Sequence, residues 1–410
     1  MNNKKIYRIG IDARLYGPVG KGLGRYTKEV VDNIIKLDKE NEYVIFLCKD
    51  NFDDFQILPE NRARVKKVLA DTRWYSLKEQ FSLPGIIKKE KLDLIHFTHF
   101  NVPIFCPVKF VVTIHDLILT KYPTMRATTL GPLRYFLKNL LYKIVISTAV
   151  RRARKIITVS NFTKKDIIDN FNVSQDKVIV TYEGVSRLGR QENKDSRFYN
   201  IEEILNNDKK ILAGYKIDSP YLLYVGNAYP HKNLEGLLRV FSKIKKDDLE
   251  NAKHIKLVLV GKVDYFYKRV KEFAEELGLS GKDAPGKQVI FPGYVMDKDL
   301  EVMYTNAIAY VFPSFYEGFG LPPLEAMAHG CPVISSDQAS MPEILGPAAL
   351  YFDPNDESEM EEKIKEIIMN DGLKRELVKR GFEQVERYDW EKCAEETVWI
   401  YEKVLMANSK

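Results

Sequence analysis

The chain has 410 residues, of which 45% are hydrophobic and 29% charged, and its formal net charge is +6. This length exceeds what one hydrophobic core usually supports, so two domains are expected. The four cysteines lack metal-site spacing and favour a reduced, cytosolic setting. No uncharged run is long enough for a membrane span, and no signal-peptide core is present. We therefore expect neither a membrane-spanning protein nor a disulfide-stapled secreted domain.

Strand and helix signals alternate through the first half of the chain. Short apolar runs predict strands at residues 7–12, 43–48, 92–97, 110–114, 156–160 and 178–182. Patterns of helical period predict helices at 23–37, 77–89 and 130–150. Such alternation is typical of a parallel sheet that is covered by helices on both faces.

A polar, charged stretch at 186–220 breaks this rhythm and is where we expect the inter-domain connection. A second alternating series follows, with strands expected at 221–225, 255–260, 289–291, 308–312, 333–335 and 350–352. The prediction is an N-terminal domain at 1–200, a C-terminal domain at 201–389 and a final segment at 390–410. Its helix, expected at 390–406, could belong to either half or cross back to the first domain. Ligands bind at the carboxyl ends of strands in such sheets, so the cleft between the domains is the expected active site.

Residues 117–165 contain no Asp or Glu but many Lys and Arg. Within them, a helix is expected whose apolar residues at helical spacing are Leu133, Phe136, Leu137, Leu140, Leu141 and Ile144. Such a helix could rest on the inner face of an anionic membrane, or it could turn its apolar side to the core and solvate a basic face; the sequence leaves both open. No nucleic-acid-binding motif is present, so nucleic acid is not an expected partner.

The stretch 312–330 reads FPSFYEGFGLPPLEAMAHG and predicts a strand, a glycine turn and a short helix that Gly330 ends. Two prolines at the first helical positions leave the upstream N–H groups pointing out of the helix end as donors. Glu317 and Glu325 would repel a phosphate but can accept hydrogen bonds from hydroxyls. A ligand with both phosphate and hydroxyls, such as a nucleotide sugar, fits. The alternative is a plain connection with two surface glutamates.

Three other motifs follow predicted strands. A loop with Gly22 and Gly24 precedes the first helix and could let a phosphate approach the backbone, but Arg25 breaks the dinucleotide fingerprint. His115 stands at the end of the strand at 110–114, where it could bind a substrate hydroxyl or serve the structure alone. Lys232 precedes a helix after the strand at 221–225, where it could neutralise a leaving diphosphate without a metal.

Asp297 and Asp299 form the sole D-x-D pattern, which some sugar-transfer enzymes use for a divalent metal. Here the pattern precedes a predicted helix, and Asp297 is interpreted as its N-cap. His96 and His99 lie near His115 without convincing metal-ligand spacing. No metal site is therefore predicted.

These motifs together resemble the retaining glycosyltransferases of family 4. The likeness rests on IDAR and GLGRY near the start, TIHDL, TVSNFT, YVGN with HKNL, and above all EGFGLPPLEAMAHGCPVI with its E-x7-E pair, Glu317 and Glu325. It implies an α/β, GT-B architecture in which two doubly wound Rossmann-like domains face each other across a cleft. It also implies a nucleotide-diphosphate sugar as donor substrate, with no further cofactor and no metal.

The resemblance assigns roles to residues of this chain. Glu317 would hold the donor sugar, Glu325 the ribose diol, Lys232 the leaving phosphates, and His115 would lie against the sugar. The remaining donor-binding positions are Gly22, Gly24, Asn227, Gly318, Phe319, Gly320 and Leu321.

The sequence departs from the family pattern in two places. Many relatives have Arg where this chain has Asn227, and Lys21, Arg14 or Arg25 could replace that cation. The familiar Asn-Gly-Val reads Glu183-Gly184-Val185 here.

The function expected from the sequence is transfer of a hexose, with mannose from GDP-mannose as the best candidate, onto a glycan or lipid-linked acceptor in polysaccharide assembly. Other donors, such as UDP-glucose, UDP-GlcNAc or a rhamnose donor, remain open. So do a GT-B sugar-nucleotide epimerase and a non-catalytic subunit that keeps the fold. The expected location is cytoplasmic; a peripheral contact of residues 117–165 with the inner face of the membrane is one of the two interpretations that the sequence leaves open.

Overall fold

The computed structural model describes residues 5–72, 74, 76–122, 131–185, 201–247, 253–281 and 288–407, and only the backbone of residues 19, 21, 132–134 and 201–204. The chain divides into two compact units. Unit 1 comprises Met1–Gly184 and Tyr388–Lys410, and unit 2 comprises Val185–Arg387. Each unit is an α/β domain built on a parallel sheet.

Unit 1 alternates strands with helices. Its strands are β1 Arg8–Asp12, β2 Glu42–Leu47, β3 Val65–Leu69, β4 Leu94–Phe97, β5 Phe110–Ile114, β6 Lys155–Thr158 and β7 Val178–Val180. Its first helices are α1 Lys21–Leu37, α2 Leu77–Lys89, α3 Ile118–Lys121, α4 Pro132–Arg152 and α5 Asn161–Phe171. Neighbouring strands are parallel, in the order β3-β2-β1-β4-β5-β6-β7.

Local sequence explains these elements. Strands β4 and β5 are buried at every residue, as expected for central parallel strands covered on both faces. Ser76 and Ser160 start α2 and α5, because each hydroxyl accepts a backbone N–H from the first helical turn. Asn172, in the left-handed conformation, ends α5.

Unit 2 repeats the alternation. Its strands are β8 Tyr221–Val225, β9 Lys256–Val260, β10 Val289–Gly293, β11 Ala309–Phe312, β12 Val333–Ser336 and β13 Ala349–Phe352. Its helices are α6 Ile201–Gly214, α7 Leu234–Lys246, α8 Tyr265–Glu276, α9 Asp297–Asn306, α10 Leu321–Ala328, α11 Met341–Leu345, α12 Glu357–Met369 and α13 Asp371–Val385. The parallel strands follow the order β10-β9-β8-β11-β12-β13.

The last helix, α14 Trp390–Met406, belongs to unit 1 and packs along α1. Its Tyr401 hydroxyl lies 2.6 Å from Nδ1 of the buried His96 on β4, whose Nε2 lies 2.8 Å from the Thr113 hydroxyl. A Cβ at Gly184 would lie 2.2 Å from the Trp390 backbone nitrogen, so the chain passes the start of α14 too closely for any side chain there.

The predicted fold class is confirmed in its two parallel-sheet α/β domains. Strands at 110–114 and 221–225 and helices at 77–89 and 390–406 have the predicted bounds. Within 186–220, where the inter-domain connection was expected, residues 201–214 form α6, a helix that the sequence analysis did not predict; residues 186–200 lie outside the described residues. Helix α6 was missed because few of its side chains are buried, and β3 because it is an edge strand carrying lysines. Along the described ranges, no helix is long and apolar enough to cross a bilayer.

Candidate active site

Two neighbouring strands of unit 2, β8 and β11, carry the loops that hold Lys232 and Glu317. The chain moves outward from β8 through β9 to β10, and then returns to β11 on the other side of β8. This reversal is a topological switch point, where loops at the carboxyl ends of adjacent strands diverge and leave a crevice. The sheet order therefore brings together two residues that are far apart in the sequence.

Lys232 and Glu317 form an ion pair at this switch point. The Lys232 Nζ lies 2.5 Å from the Glu317 Oε1, and the side chains are 12% and 11% exposed. Lys232 ends the 3-10 turn Pro230–Lys232, and its ammonium lies 5.4 Å from the centre of the Phe312 ring. Because both side chains are largely buried, removing either one would leave the other as a buried charge without compensation. A phosphate that attracts Lys232 would leave Glu317 to accept hydrogen bonds from hydroxyls.

The two loops are fastened to each other and to the segment before α11. The Phe315 N–H donates to the His231 carbonyl at 2.8 Å. The Ser340 hydroxyl contacts the carbonyls of Glu317 and Phe319 at 3.0 and 3.3 Å. Burial lowers the pKa of His231 to about 4, so its ring is neutral at pH 7. The turn that presents Glu317 is thus held from two sides.

Gly320 sets the entry into α10. Its φ of +102° lies in the left-handed region that favours glycine, and it occupies the N-cap position. Pro322 and Pro323 follow and carry no N–H, so Leu321 carries the first N–H of the helix, which has no partner within the helix. Gly330, with a φ of +69°, follows the end of the helix as predicted.

Glu325 lies in α10 and is 6% exposed. The Tyr304 hydroxyl of α9 donates to its Oε2 at 3.3 Å, and the Glu325 carbonyl is 2.7 Å from Nδ1 of His329. A carboxylate has further acceptor sites and can serve a diol as well. Sequence reasoning missed Tyr304, because no local pattern links it to Glu325.

Asn227 shapes the loop after β8. Its Oδ1 accepts the Tyr229 N–H at 3.3 Å, and its carbonyl accepts the Tyr224 hydroxyl at 2.7 Å. The side chain supplies no positive charge at the position where the resemblance leads one to expect Arg.

His115 follows β5 in unit 1 and is 8% exposed. Its Nδ1 lies 3.2 Å from the Glu183 Oε1, and its Nε2 lies 3.0 Å from the Thr98 carbonyl. The ring of Tyr26 meets the imidazole edge-on, with centroids 4.4 Å apart. Two oxygen acceptors therefore hold the ring in one orientation. Sequence reasoning registered Glu183 only as a departure from the family pattern, and the structure gives it a partner.

Gly22 and Gly24 lie in the first turn of α1, not in a loop before the helix as expected, and this turn packs tightly on the segment that precedes it. A Cβ at Gly24 would lie 2.0 Å from the Gly17 carbonyl oxygen and 2.6 Å from that of Leu15. At Gly22 a Cβ would meet nothing within 4 Å. Packing alone thus explains glycine at position 24 but not at position 22, and the donor-binding role of both remains a prediction.

Arg14 cannot supply the missing phosphate cation. It is 1% exposed, and one guanidinium nitrogen lies 2.8 Å from carboxylate oxygens of both Asp12 and Glu79. That part of the prediction was wrong, because two buried carboxylates already neutralise the charge. The side chain of Lys21 lies outside the described residues, and Arg25 remains a candidate.

The D-x-D pair begins α9. Met296, not Asp297, is the N-cap, so the predicted cap was displaced by one residue; Asp297 stands in the first turn, where a negative charge suits the helix dipole. Asp299 accepts the Tyr215 hydroxyl at 2.7 Å. Among the residues that the structure describes, no three His, Cys, Asp or Glu side chains are grouped to hold a metal ion.

Comparison with known protein families accounts for both units. The family model described as Glycosyltransferase Family 4 matches residues 20–187, and the model described as Glycosyl transferases group 1 matches residues 207–384. The chain belongs to the family 4 glycosyltransferases. In this glycosyltransferase, Gly22, Gly24 and His115 fall within the first match, and the Lys232–Glu317 pair and Glu325 fall within the second.

Curated relatives span nearly the whole glycosyltransferase. It is 28% identical over 397 residues to O-antigen chain mannosyltransferase B of Escherichia coli, covering 93% of this chain and 95% of that protein. It is 27% identical over 360 residues to O-antigen chain mannosyltransferase RfbU of Salmonella typhimurium, covering 86% and 88%. Sucrose-phosphate synthase from Thermosynechococcus elongatus shares the fold, with a TM-score of 0.72, 20% identity, and coverage of 98% of this chain and 100% of that one.

Proposed function

We propose that this glycosyltransferase is a retaining, metal-independent enzyme that moves mannose from GDP-mannose onto a glycan or lipid-linked acceptor. The observation that carries the proposal is the Lys232–Glu317 ion pair at the switch point, with Glu325 in the helix that follows. The names of the two O-antigen relatives support mannose as the transferred sugar.

In the proposed complex the donor exchanges partners with the ion pair. Lys232 turns to the leaving diphosphate, whose charge grows as the glycosidic bond breaks, and this electrostatic stabilisation requires no metal. Glu317 then accepts hydrogen bonds from hexose hydroxyls, aided by the backbone of Gly318, Phe319 and Gly320. The first N–H of α10, on Leu321, meets the phosphate.

Glu325 and His115 have the remaining proposed roles. Glu325, with one oxygen near Tyr304, takes the ribose diol of the nucleotide. His115, held in unit 1 by Glu183 and Thr98, keeps the role that the family resemblance gives it, against the sugar. In a front-face reaction the departing phosphate takes the acceptor's proton, so no protein nucleophile is needed and Glu317 binds hydroxyls without acting as an acid or a base.

The first test is a donor screen. The purified protein is incubated with GDP-mannose, UDP-glucose, UDP-GlcNAc and a dTDP-rhamnose donor, while binding and hydrolysis of each donor are followed. GDP-mannose should be turned over fastest, with and without EDTA. Failure to bind or turn over any donor refutes the enzymatic proposal.

Variants and products separate the proposal from its alternatives. Glu317→Ala should be inactive, whereas Glu383→Ala, at an exposed position on α13, should keep wild-type activity. A donor that is epimerised with no acceptor present would establish the epimerase instead. NMR of the product's anomeric proton tests retention, and an inverted product contradicts it.

A further inference from the structure

Helix α4 buries one apolar face and exposes another. Tyr142, Ile146, Ala149 and Val150 lie in the hydrophobic core of unit 1. Five other large apolar side chains of α4 are 43% to 67% exposed; we call them the α4 stripe: Phe136, Leu137, Leu140, Leu141 and Ile144. The sequence interpretation in which these residues face the core is therefore wrong for the five, and the side chain of Leu133 lies outside the described residues.

The α4 stripe is continuous. With about 100° of rotation per residue, its positions cover an arc of roughly 140° on the side of the helix opposite the core residues. A surface helix of a globular protein normally carries polar residues on that side. An exposed patch of this kind marks an interaction surface.

The charged residues of α4 and of the sequence that flanks it are of one sign. Exposed Lys138 and Lys143 stand on the two edges of the arc, and residues 117–165 contain no acidic side chain. Two of the more distant basic side chains serve other contacts: the Arg152 guanidinium donates to the carbonyls of Ile104 and Cys106, and Lys121 pairs with Asp166 at 3.1 Å.

We propose that the α4 stripe docks on an anionic lipid surface. The helix would lie in the plane of the interface, with its apolar side chains between the headgroups and its two edge lysines on lipid phosphates. A second copy of the chain is a poorer occupant, because a two-fold contact would set the same lysines against each other. If the proposed function holds, this contact also brings the enzyme to a lipid-linked acceptor.

Structure changes the residues that a lipid test should target. Three arginines at and after the end of α4, Arg151, Arg152 and Arg154, form the neighbouring basic cluster and are the obvious alternative targets. Arg151 lies seven residues beyond Ile144, about 10 Å along the helix, and Arg152 is bound to backbone carbonyls. The expected lipid contact is therefore the stripe with Lys138 and Lys143.

The experiment is co-flotation with vesicles of phosphatidylcholine plus phosphatidylglycerol, and with vesicles of phosphatidylcholine alone. The test variant is Phe136→Gln/Leu140→Gln/Ile144→Gln, and its matched control is Leu77→Gln/Phe81→Gln, which removes apolar side chains of α2 that are 72% and 78% exposed. The stripe variant should lose at least about tenfold in vesicle partitioning, given the transfer energy of apolar side chains. The control should bind like the wild type.

Two double variants that remove positive charge complete the design. Lys138→Gln/Lys143→Gln should weaken binding to the anionic vesicles by roughly tenfold, whereas Arg151→Gln/Arg154→Gln should have a smaller effect. The tryptophan fluorescence that Phe136→Trp introduces should be quenched by brominated lipid, and the fluorescence that Phe81→Trp introduces should not.

Three results would overturn the proposal. The wild type could fail to bind vesicles, or the stripe variant could bind them as well as the wild type does. The wild type could also be a dimer that binds no vesicles, while the stripe variant is a monomer. Hydrolysis of GDP-mannose in solution should be unchanged in the stripe variant. If vesicles bind as expected but no donor is turned over, the proposed function fails and the membrane contact stands.

Discussion

Gly22 and Gly24 of unit 1 give a sharp test, because these two glycines in the first turn of α1 differ in what surrounds them. Gly24→Ala would place a Cβ 2.0 Å from the Gly17 carbonyl oxygen, whereas the Cβ of Gly22→Ala would meet no atom within 4 Å. Both substitutions add the same methyl group to the same helix. Any difference between them therefore reports the packing of the loop.

The magnitude follows from the contacts. A carbon–oxygen contact normally needs about 3.3 Å, so the Gly17 carbonyl would have to move by roughly 1.3 Å. Overpacking of this kind costs about 1–3 kcal/mol, and the Gly17 N–H bond to the Gly24 carbonyl, 3.2 Å long, is worth about 1 kcal/mol more. The better helix propensity of alanine offsets up to about 1 kcal/mol of this loss. We expect Gly24→Ala to lower the free energy of unfolding by about 1–3 kcal/mol, and Gly22→Ala to raise it by about 0.4–1 kcal/mol.

The assay is urea denaturation of both variants, with hydrogen exchange of the α1 amides to localise the effect. Equal stabilities would refute the packing argument. The KM for GDP-mannose then tests the binding role separately: because Gly22→Ala leaves the fold intact, a raised KM with an unchanged kcat would support a donor contact at that position. An unchanged KM would remove Gly22 from the donor site.

Three further predictions concern the carboxylates and a buried histidine. Glu325→Gln should lower GDP-mannose affinity by roughly tenfold or more in a binding titration, because a charge-assisted hydrogen bond is worth about 1.5–3 kcal/mol; unchanged affinity would contradict the diol assignment. Glu183→Gln and His115→Asn should reduce kcat/KM by similar factors, with little further loss in the double variant; additive losses would show that Glu183 does not act through His115. Burial lowers the pKa of His96 to about 3 from 6.5, so the unfolded chain takes up a proton below pH 6.5 that the folded chain refuses. Stability should fall by about 2 kcal/mol between pH 7 and pH 5 from this group, and His96→Gln should flatten that slope in urea titrations at the two pH values.

Local sequence patterns determined most of the strands and helices, and they also placed Glu317 and Glu325 of the candidate site. Strands such as β5 and β8 and helices such as α2 and α14 had the predicted bounds, because burial on both strand faces and capping signals are written in consecutive residues. The E-x7-E spacing likewise placed Glu317 in a turn and Glu325 in the following helix, since the glycines and prolines between them fix that connection.

Tertiary structure decided which distant residues meet. Glu183 reaches His115, and Arg14 is neutralised by Glu79, through the order of strands in the sheet, which no local period encodes. The period of α4 predicts an apolar stripe but not what covers it, because a helix of that pattern can turn the stripe to the core or to solvent. The packing of Tyr142 and Ile146 into the core settles the orientation and leaves the α4 stripe exposed.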